Sequence, residues 1–384
     1  METSMSSASE LPPRLDNREA VLAAMYEEIG NKHLFPFWAT DTSTEHNEIK
    51  RLMAVGGAVP HHWSFKRDLE PLLYQSAEMI SASHSDRRSL ILINPGLSPR
   101  RATVSTMYTA YRLNDPNEVM PPHKHTASAV RFGLTGSKNF TGVEGEDIVF
   151  APGDFVLTPR DTWHNHGNKG DDPAINLSIL DYPLVETLHA LQFDHDYRED
   201  GKAKTVQSAR FPSDYSSRIY GTGGVMPRFV SHHRGVGASS PMFVYRYEPV
   251  RELLEKHRDW DGNPHEGLMV EYVDPLTGGP MFKTMTFFLQ MLRPGERTLP
   301  VRQTASLLMA PFEGAGHSIV DGKRFDWAPY DTLAVPGGCW AEHVNDSATE
   351  PVILFVASDE PAQKAFGLLQ RWGRDGAGDL VRLA

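Results

Sequence analysis

Cysteine is almost absent from this 384-residue chain. The one thiol, Cys339, excludes an intrachain disulfide and fits a reducing compartment. Long apolar runs are missing too: stretches such as Leu90–Ile93 are strand-sized, far short of the ~18 residues that span a bilayer. The amino-terminal METSMSSASELPPR has no apolar signal region, so a cytoplasmic protein without a membrane partner is expected. A basic block is also lacking. Lys+Arg total 38 against 49 Asp+Glu, a net charge of −11, which argues against nucleic acid as a partner. An anionic small molecule would have to be met by particular arginines set against that field.

What is present is ordinary for a globular protein, 40% apolar and 23% charged, with a length that suggests two to three domains. After a Ser-rich tail ending in Pro12-Pro13, the pattern predicts a helix over Arg18–Gly30. An aromatic packing segment follows at 33–40, then a second helix from Phe65 to about Ser83. From Ser89 to Leu184, and again from Leu268 to Ala357, short apolar runs are broken by Gly, Pro, Asn and Asp every 8–12 residues. That is the texture of β-barrels or sandwiches. Between them lies a mixed connector with helical pieces near Val185–Phe193 and Pro249–His257. The tail 361–374 reads as an amphipathic helix. The expected partition is 1–88 as tail and helical segment, 89–190 as first barrel, 191–265 as connector, 266–360 as second barrel and 361–384 as terminal helix.

The two β regions repeat each other. EVMPPHKHTAS (118–128) aligns with ERTLPVRQTAS (296–306) at an offset of 178. GDFVLTPRDTWHNHGN (153–168) aligns with YDTLAVPGGCWAEHVN (330–345) at an offset of 177. The first copy carries His123-x-His125 and, forty residues on, His164-x-His166. On a strand, i and i+2 share one face about 7 Å apart, so two imidazoles can converge on one ion. A third from a neighbouring strand completes one face of an octahedron and leaves three positions open. Arg131, eight residues past His123, falls on the same face if the strand is uninterrupted. A buried cation there needs an anionic partner, either an internal carboxylate or a substrate. His166 shares the face of His164, as an acid–base or hydrogen-bonding group or as a structural one. The second copy has Val301, Gln303 and Ala341 at the matching ligand positions and keeps only His343, so no ion is expected there.

The two motifs together resemble the cupin motif pair. Within cupins, PPHKHTASAVRF, TPRDTWHNHGN, LFPFW, HHWSFKRDLEPLL, DRRSLILINPGL, LDYPLV, DGKRFDW and PVILFVASDEP resemble the gentisate 1,2-dioxygenase family. That family includes salicylate and 1-hydroxy-2-naphthoate dioxygenases. The resemblance implies an all-β bicupin: two tandem double-stranded β-helix (jelly-roll) barrels with flanking helices. It implies His123, His125 and His164 as ligands of one Fe(II) per chain and a homotetramer or dimer. The expected partners are a small aromatic hydroxyacid and O2. The implied reaction is ring cleavage between the carboxyl-bearing and hydroxyl-bearing carbons, giving maleylpyruvate from gentisate. Arg131 would grip the substrate carboxylate. Further contacts would come from Arg87 or its neighbour Arg88, and from Tyr108, Ala110, Ser178 and Asp181. Two departures stand out. The glutamate ligand of many cupins is missing, with Ala129 and Val130 in its place, which fits a dianionic chelating substrate. Where gentisate enzymes often read W-L-D-x-L-D, this chain reads NLSILD, with Ser178 for the first aspartate and Asp181 retained. Salicylate or 1-hydroxy-2-naphthoate are therefore alternative substrates. Another metal-cupin class such as an isomerase, or a non-enzymatic binding bicupin, are the competing readings.

Overall fold

A computed structural model describes residues 18–32, 34, 57–80, 88–223, 227 and 239–383. The chain divides into two units, 1–56 and 57–384. In the first, Arg18–Asn31 forms a helix; the 33–40 packing segment lies largely outside the described residues.

The second unit is built on two six-stranded antiparallel sheets of matching order. One runs Val244–Tyr245, Phe155–Thr158, Ala129–Gly133, Ala174–Leu180, Tyr108–Asn114, Ser89–Ile91. The other runs His61–Trp63, Thr332–Val335, Leu307–Glu313, Val352–Ser358, Thr286–Leu292, Leu268–Tyr272. Each is faced by another sheet, a three-stranded one of Glu146–Phe150, Asn139–Val143 and His164–Asn168 in the first barrel and a six-stranded one in the second. In the second, Gly316–Val320, Lys323–Trp327 and Trp340–Asn345 are extended by Val301–Gln303 and two C-terminal strands. This is a bicupin. The two large sheets pack against each other through one apolar core, with Phe132 stacked on Phe355 at 4.2 Å and Phe155 beside Phe287 at 5.0 Å.

That packing explains the strand sequences. AINLSIL (174–180) is buried on both faces. Ile175, Leu177 and Ile179 enter the inter-barrel core, while Asn176, Ser178 and Leu180 alternate onto the barrel interior.

The sequence partition differs from the sheets in three places. First, the edge strands are exchanged. His61–Trp63, from the N-terminal segment, pairs with Thr332–Val335 of the second barrel, and Val244–Tyr245, from the connector, pairs with Phe155–Thr158 of the first. Each covers an otherwise open sheet edge. Second, the expected helix from Phe65 is split. Phe65–Leu69 is a π-helical turn closed by Glu70 N–H on the Phe65 carbonyl, and an α-helix runs from Glu70 to Met79. Pro71, which has no N–H, interrupts the α-helical ladder at the junction. Third, the connector and C-terminal helices are short, Tyr182–Thr187 and Glu360–Ala365. Gly367 at φ +69° ends the latter, and Arg371–Arg374 returns as a strand against Val301–Gln303. The strand Phe193–Asp194 takes the same place against His125 and Lys124. The helix Tyr247–Lys256 begins two residues before the expected Pro249.

Candidate functional site

Backbone pairing builds the site. His123 and His164 exchange both backbone hydrogen bonds at 2.9 Å in an antiparallel bridge, which sets their rings side by side with centroids 4.4 Å apart. His125, one pleat on, brings its ring to 4.8 Å from that of His164. Gly167 lets the neighbouring segment close in, because a Cβ there would lie 2.0 Å from the Glu118 carbonyl oxygen. One nitrogen from each of His123, His125 and His164 lies within 4.8 Å of the others.

The tautomers are set locally. Each Nδ1–H donates to a carbonyl two residues away: His123 to Pro121 at 3.2 Å, His125 to Ala127 at 2.7 Å and His164 to Thr162 at 2.8 Å. In the neutral ring this leaves each Nε2 with the lone pair, as a ligand imidazole requires. The His164 Nε2 is fully buried and has no hydrogen-bond partner, and a metal ion would satisfy its lone pair. Burial, reinforced by His123, His125 and Arg131, holds His164 well below the usual imidazole range, so it is neutral and ready to ligate. The cluster has the composition of a mononuclear metal site. Another group, His317 with Asp326 and Asp346, lies on the outer face, where Arg324 bonds Asp326 and approaches Asp346 at 3.7 Å.

Beside the histidines is a cavity of about 220 Å³. Tyr108, Ala110 and Arg112 line it from one strand, Ser178 from its neighbour, Arg131 from the strand beyond, and His123, His125 and His166 from the opposite side. Arg131 reaches this wall although residues 126–128 interrupt the strand, because Ala129–Gly133 resumes pairing with Ala174–Leu180. Its Nη2 donates to His166 Nε2 at 2.7 Å, and His166 Nδ1 in turn faces the Thr141 hydroxyl at 3.1 Å. His166 is thus an acceptor for Arg131 rather than a free acid–base group. Burial first and the Arg131 charge second hold it well below its ordinary value, hence neutral.

The remaining expected contacts separate. Arg88 caps the Ala77 and Ile80 carbonyls and pairs with Asp115 at 2.6 Å and with Glu118, so it is committed to the fold and does not line the cavity. Arg87 lies outside the described residues. Asp181 is fully buried and does not line the cavity. Its Oδ1 accepts from the Ser128 N–H at 2.7 Å and its Oδ2 from the Thr284 hydroxyl at 2.5 Å, and burial pushes its carboxyl up to about 6. It holds the fold and offers nothing to a ligand in the cavity. The structure adds Arg112 and Arg101. Arg112 is bonded to Asn114 at 2.5 Å; Arg101 lies at the mouth and donates to the Tyr182 hydroxyl at 2.6 Å. Glu118 approaches Arg112 at 3.8 Å and Glu186 approaches Arg101 at 3.7 Å, but among the described residues three arginines and no carboxylate line the cavity itself, which favours an anionic ligand.

Comparison with known proteins agrees with this geometry. The cupin domain family matches residues 113–180. The chain is 34% identical over 345 residues to gentisate 1,2 dioxygenase 1 of Aquipseudomonas alcaligenes, covering 89% of this chain and 93% of that protein. It is 30% identical over 363 residues to a 5-aminosalicylate 1,2-dioxygenase of Comamonas sp., covering 92% and 90%. The chain belongs to the gentisate/salicylate 1,2-dioxygenase family. The crystal structure of a salicylate 1,2-dioxygenase from Pseudaminobacter salicylatoxidans superimposes with a TM-score of 0.76 at 26% identity, over 92% of this chain and 97% of that one. As a member of this family the protein is a ring-cleaving dioxygenase. Among the described residues no helix is long and apolar enough to cross a membrane.

Proposed function

We propose that this protein is an Fe(II)-dependent 1,2-dioxygenase of ortho-hydroxybenzoates, with gentisate or a closely related 5-substituted salicylate as substrate. The observation that carries the reading is the placement of Arg131 across one cavity from the three-histidine cluster. A carboxylate held by the guanidinium would direct its ring toward the open side of the histidines. His123, His125 and His164 would hold the iron through Nε2. When bound, the iron supplies the Lewis-acid and redox chemistry by which an electron-rich ring reacts with dioxygen.

The chain's own residues do the rest. Arg131 offers two parallel N–H donors to the substrate carboxylate, a geometry an ammonium cannot match. His166, fixed by Thr141, accepts from the other side of the same guanidinium and holds its plane. Tyr108, Ile91 and Leu180 form apolar walls for the ring and exclude water. Fixing carboxylate and ring in one pose supplies the proximity contribution. The bond between the carboxyl-bearing and hydroxyl-bearing carbons is then cleaved, and both atoms of dioxygen enter the product. Ser178, neighbour of Ala110 on one side and Arg131 on the other, is placed to meet a ring substituent. The related enzymes named for gentisate, 5-aminosalicylate and salicylate share the carboxyl-and-hydroxyl frame and differ at that substituent, which supports a frame-specific reading.

Oxygen uptake by Fe(II)-loaded protein, with gentisate, salicylate, 5-aminosalicylate and 1-hydroxy-2-naphthoate in turn, tests the proposal. Uptake with at least one of these and none with benzoate is expected. Uptake with none of them overturns it.

A further inference from the structure

Three imidazole ligands would bring no compensating charge to a divalent metal. A buried carboxylate is nevertheless coupled to one of them through a single peptide group. The Ala127 carbonyl accepts from His125 Nδ1–H at 2.7 Å. The Ser128 N–H of the same peptide donates to Asp181 Oδ1 at 2.7 Å. Asp181 Oδ2 is held by the Thr284 hydroxyl at 2.5 Å, a residue of the second barrel, with Arg160 Nη2 at 3.6 Å. A carboxylate accepting from an amide N–H polarises that amide and makes its carbonyl a stronger acceptor. A stronger acceptor at Nδ1 makes Nε2 a stronger donor to a metal.

We propose that Asp181 is a positioning residue of the metal site, acting on His125 through the 127–128 peptide as a carboxylate acts on a ligand histidine when the two touch directly. This rests on the metal reading above. It also places part of the control of the first barrel's site in the second barrel, because Thr284 fixes the carboxylate.

The molecule contains its own control. In the second barrel Asp359 Oδ1 accepts from the Ser306 N–H at 2.7 Å and its Oδ2 from the Thr106 hydroxyl at 2.7 Å, and Thr106 belongs to the first barrel. The two clamps are reciprocal and both carboxylates are buried. Both hold a strand and an inter-barrel contact. Only the first has a histidine on the far side of its peptide; Gln303 stands in the position of His125. A purely architectural role therefore predicts equal consequences for the two aspartates, whereas the proposed role predicts a difference at the metal alone.

The test is titration of apo full-length protein with Co(II), followed by its visible absorption, alongside thermal unfolding of each apo variant. Wild type is expected to bind one Co(II) per chain. Asp181→Asn keeps an acceptor oxygen and removes the charge. It is expected to weaken Co(II) binding by about 10-fold or more, the range found when groups behind metal ligands are changed. Asp359→Asn should leave the affinity within about twofold, with a comparable loss of thermal stability. Thr284→Val should weaken binding by a smaller factor, about threefold, and Thr106→Val should not. The valine pair decides the matter if an asparagine variant does not fold. Equal Co(II) affinities within each pair overturn the proposal. Failure of the wild type to bind Co(II) overturns instead the metal reading on which it rests.

Discussion

The two barrels share strand order, edge coverage and a reciprocal aspartate clamp, yet the strands that wall the histidine site in one carry apolar side chains in the other. In the first, Ala110, Arg131 and Ser178 line a cavity of about 220 Å³ beside three histidines, and Asn176 precedes Ser178 on the same strand face. In the second, Phe288, Met309, Leu354 and Val356 stand in those positions, and the corresponding space has shrunk to about 30 Å³. Met309, Leu354 and Val356 join Phe325, Trp327 and Leu333 in a continuous apolar core. Closing an internal cavity stabilises a fold, by roughly 24 cal/mol per Å³ in a series of core substitutions. The division of labour therefore has a physical basis: one barrel holds an open space beside its histidines, and the other fills the matching positions with apolar side chains. Even His343, the lone surviving counterpart of the histidines, keeps its hydroxyl partner, with Ser318 at 2.8 Å where His166 has Thr141. It lacks the arginine. The His–hydroxyl pair is thus a feature of the scaffold, and the His166–Arg131 contact is what distinguishes the open barrel.

The comparison can be broken most completely at the ligands. His123→Val, His125→Gln and His164→Ala each give the first barrel the residue that the second carries. Each should abolish turnover and most metal binding, whereas Gln303→Ala should change neither. Metal analysis and oxygen uptake check this, and about one metal per chain is expected in the wild type. A value near two would mean that the second barrel also binds.

Arg131→Met is the next substitution in the same direction. Removing one partner of a buried charge pair costs about 2–5 kcal/mol, so kcat/KM should fall at least about thirtyfold with metal content unchanged. Arg131→Lys should fall between the two because it keeps charge without the planar fork. Steady-state kinetics at matched metal loading decides; wild-type values in the methionine variant would make Arg131 a structural cation.

Much of this was legible in the sequence, and the exceptions have physical reasons. Strand-and-turn spacing and the internal repeat were sufficient for a duplicated barrel, because period-2 alternation survives even in strands buried on both faces. The exchanged edge strands were not legible, since three residues at His61–Trp63 and two at Val244–Tyr245 carry no periodicity. The C-terminal segment had helical spacing but also Gly367, and tertiary pairing with Val301–Gln303 prevailed over local pattern. The family pattern W-L-D-x-L-D joins Asp181 to Ser178, yet three positions is an odd step that places the two on opposite faces. Its recurrence as Asp359 in a copy without ligands pointed to architecture. Arg112 was within reach, being two and four residues from Ala110 and Tyr108. Arg101 was not, since its place at the mouth depends on Tyr182, which is remote in sequence.

The surviving histidine of the closed barrel gives a pH prediction. Burial holds His343 at about 4, below the ordinary value near 6.5. The folded state thus favours neutral imidazole, and the associated stability is present above pH 6.5 and lost as pH falls toward 4. The full loss corresponds to about 3 kcal/mol. Asp181 acts in the opposite sense, since a carboxyl raised to about 6 contributes stability below pH 4 that fades as pH rises to 6. His343→Asn should therefore flatten the decline of apo-protein stability between pH 7 and pH 4 relative to wild type, measured by denaturant unfolding. Parallel curves would show that His343 is protonated without cost in the fold.

The smallest expected effect concerns Ser178, matched by Val356 in the closed barrel. In the cavity it is only partly engaged, with its hydroxyl 3.4 Å from Asn176 Oδ1. A serine can hydrogen-bond a second ring hydroxyl but cannot draw off its proton as a carboxylate would. Leaving such a buried group unpaired costs about 1–3 kcal/mol, so a serine that still pairs should reduce discrimination by less than that. The wild type is accordingly expected to separate gentisate from salicylate only weakly. Ser178→Asp should shift the kcat/KM ratio toward gentisate by about tenfold, within the energy of one hydrogen bond to a charged group. It should also slow salicylate, whose unsubstituted ring would leave the new carboxylate buried without a partner. Ser178→Val, copying the closed barrel, should move the ratio the other way. If both variants leave the ratio at its wild-type value, the second substituent is read elsewhere in the cavity, and Arg101 and Arg112 are the side chains to substitute next.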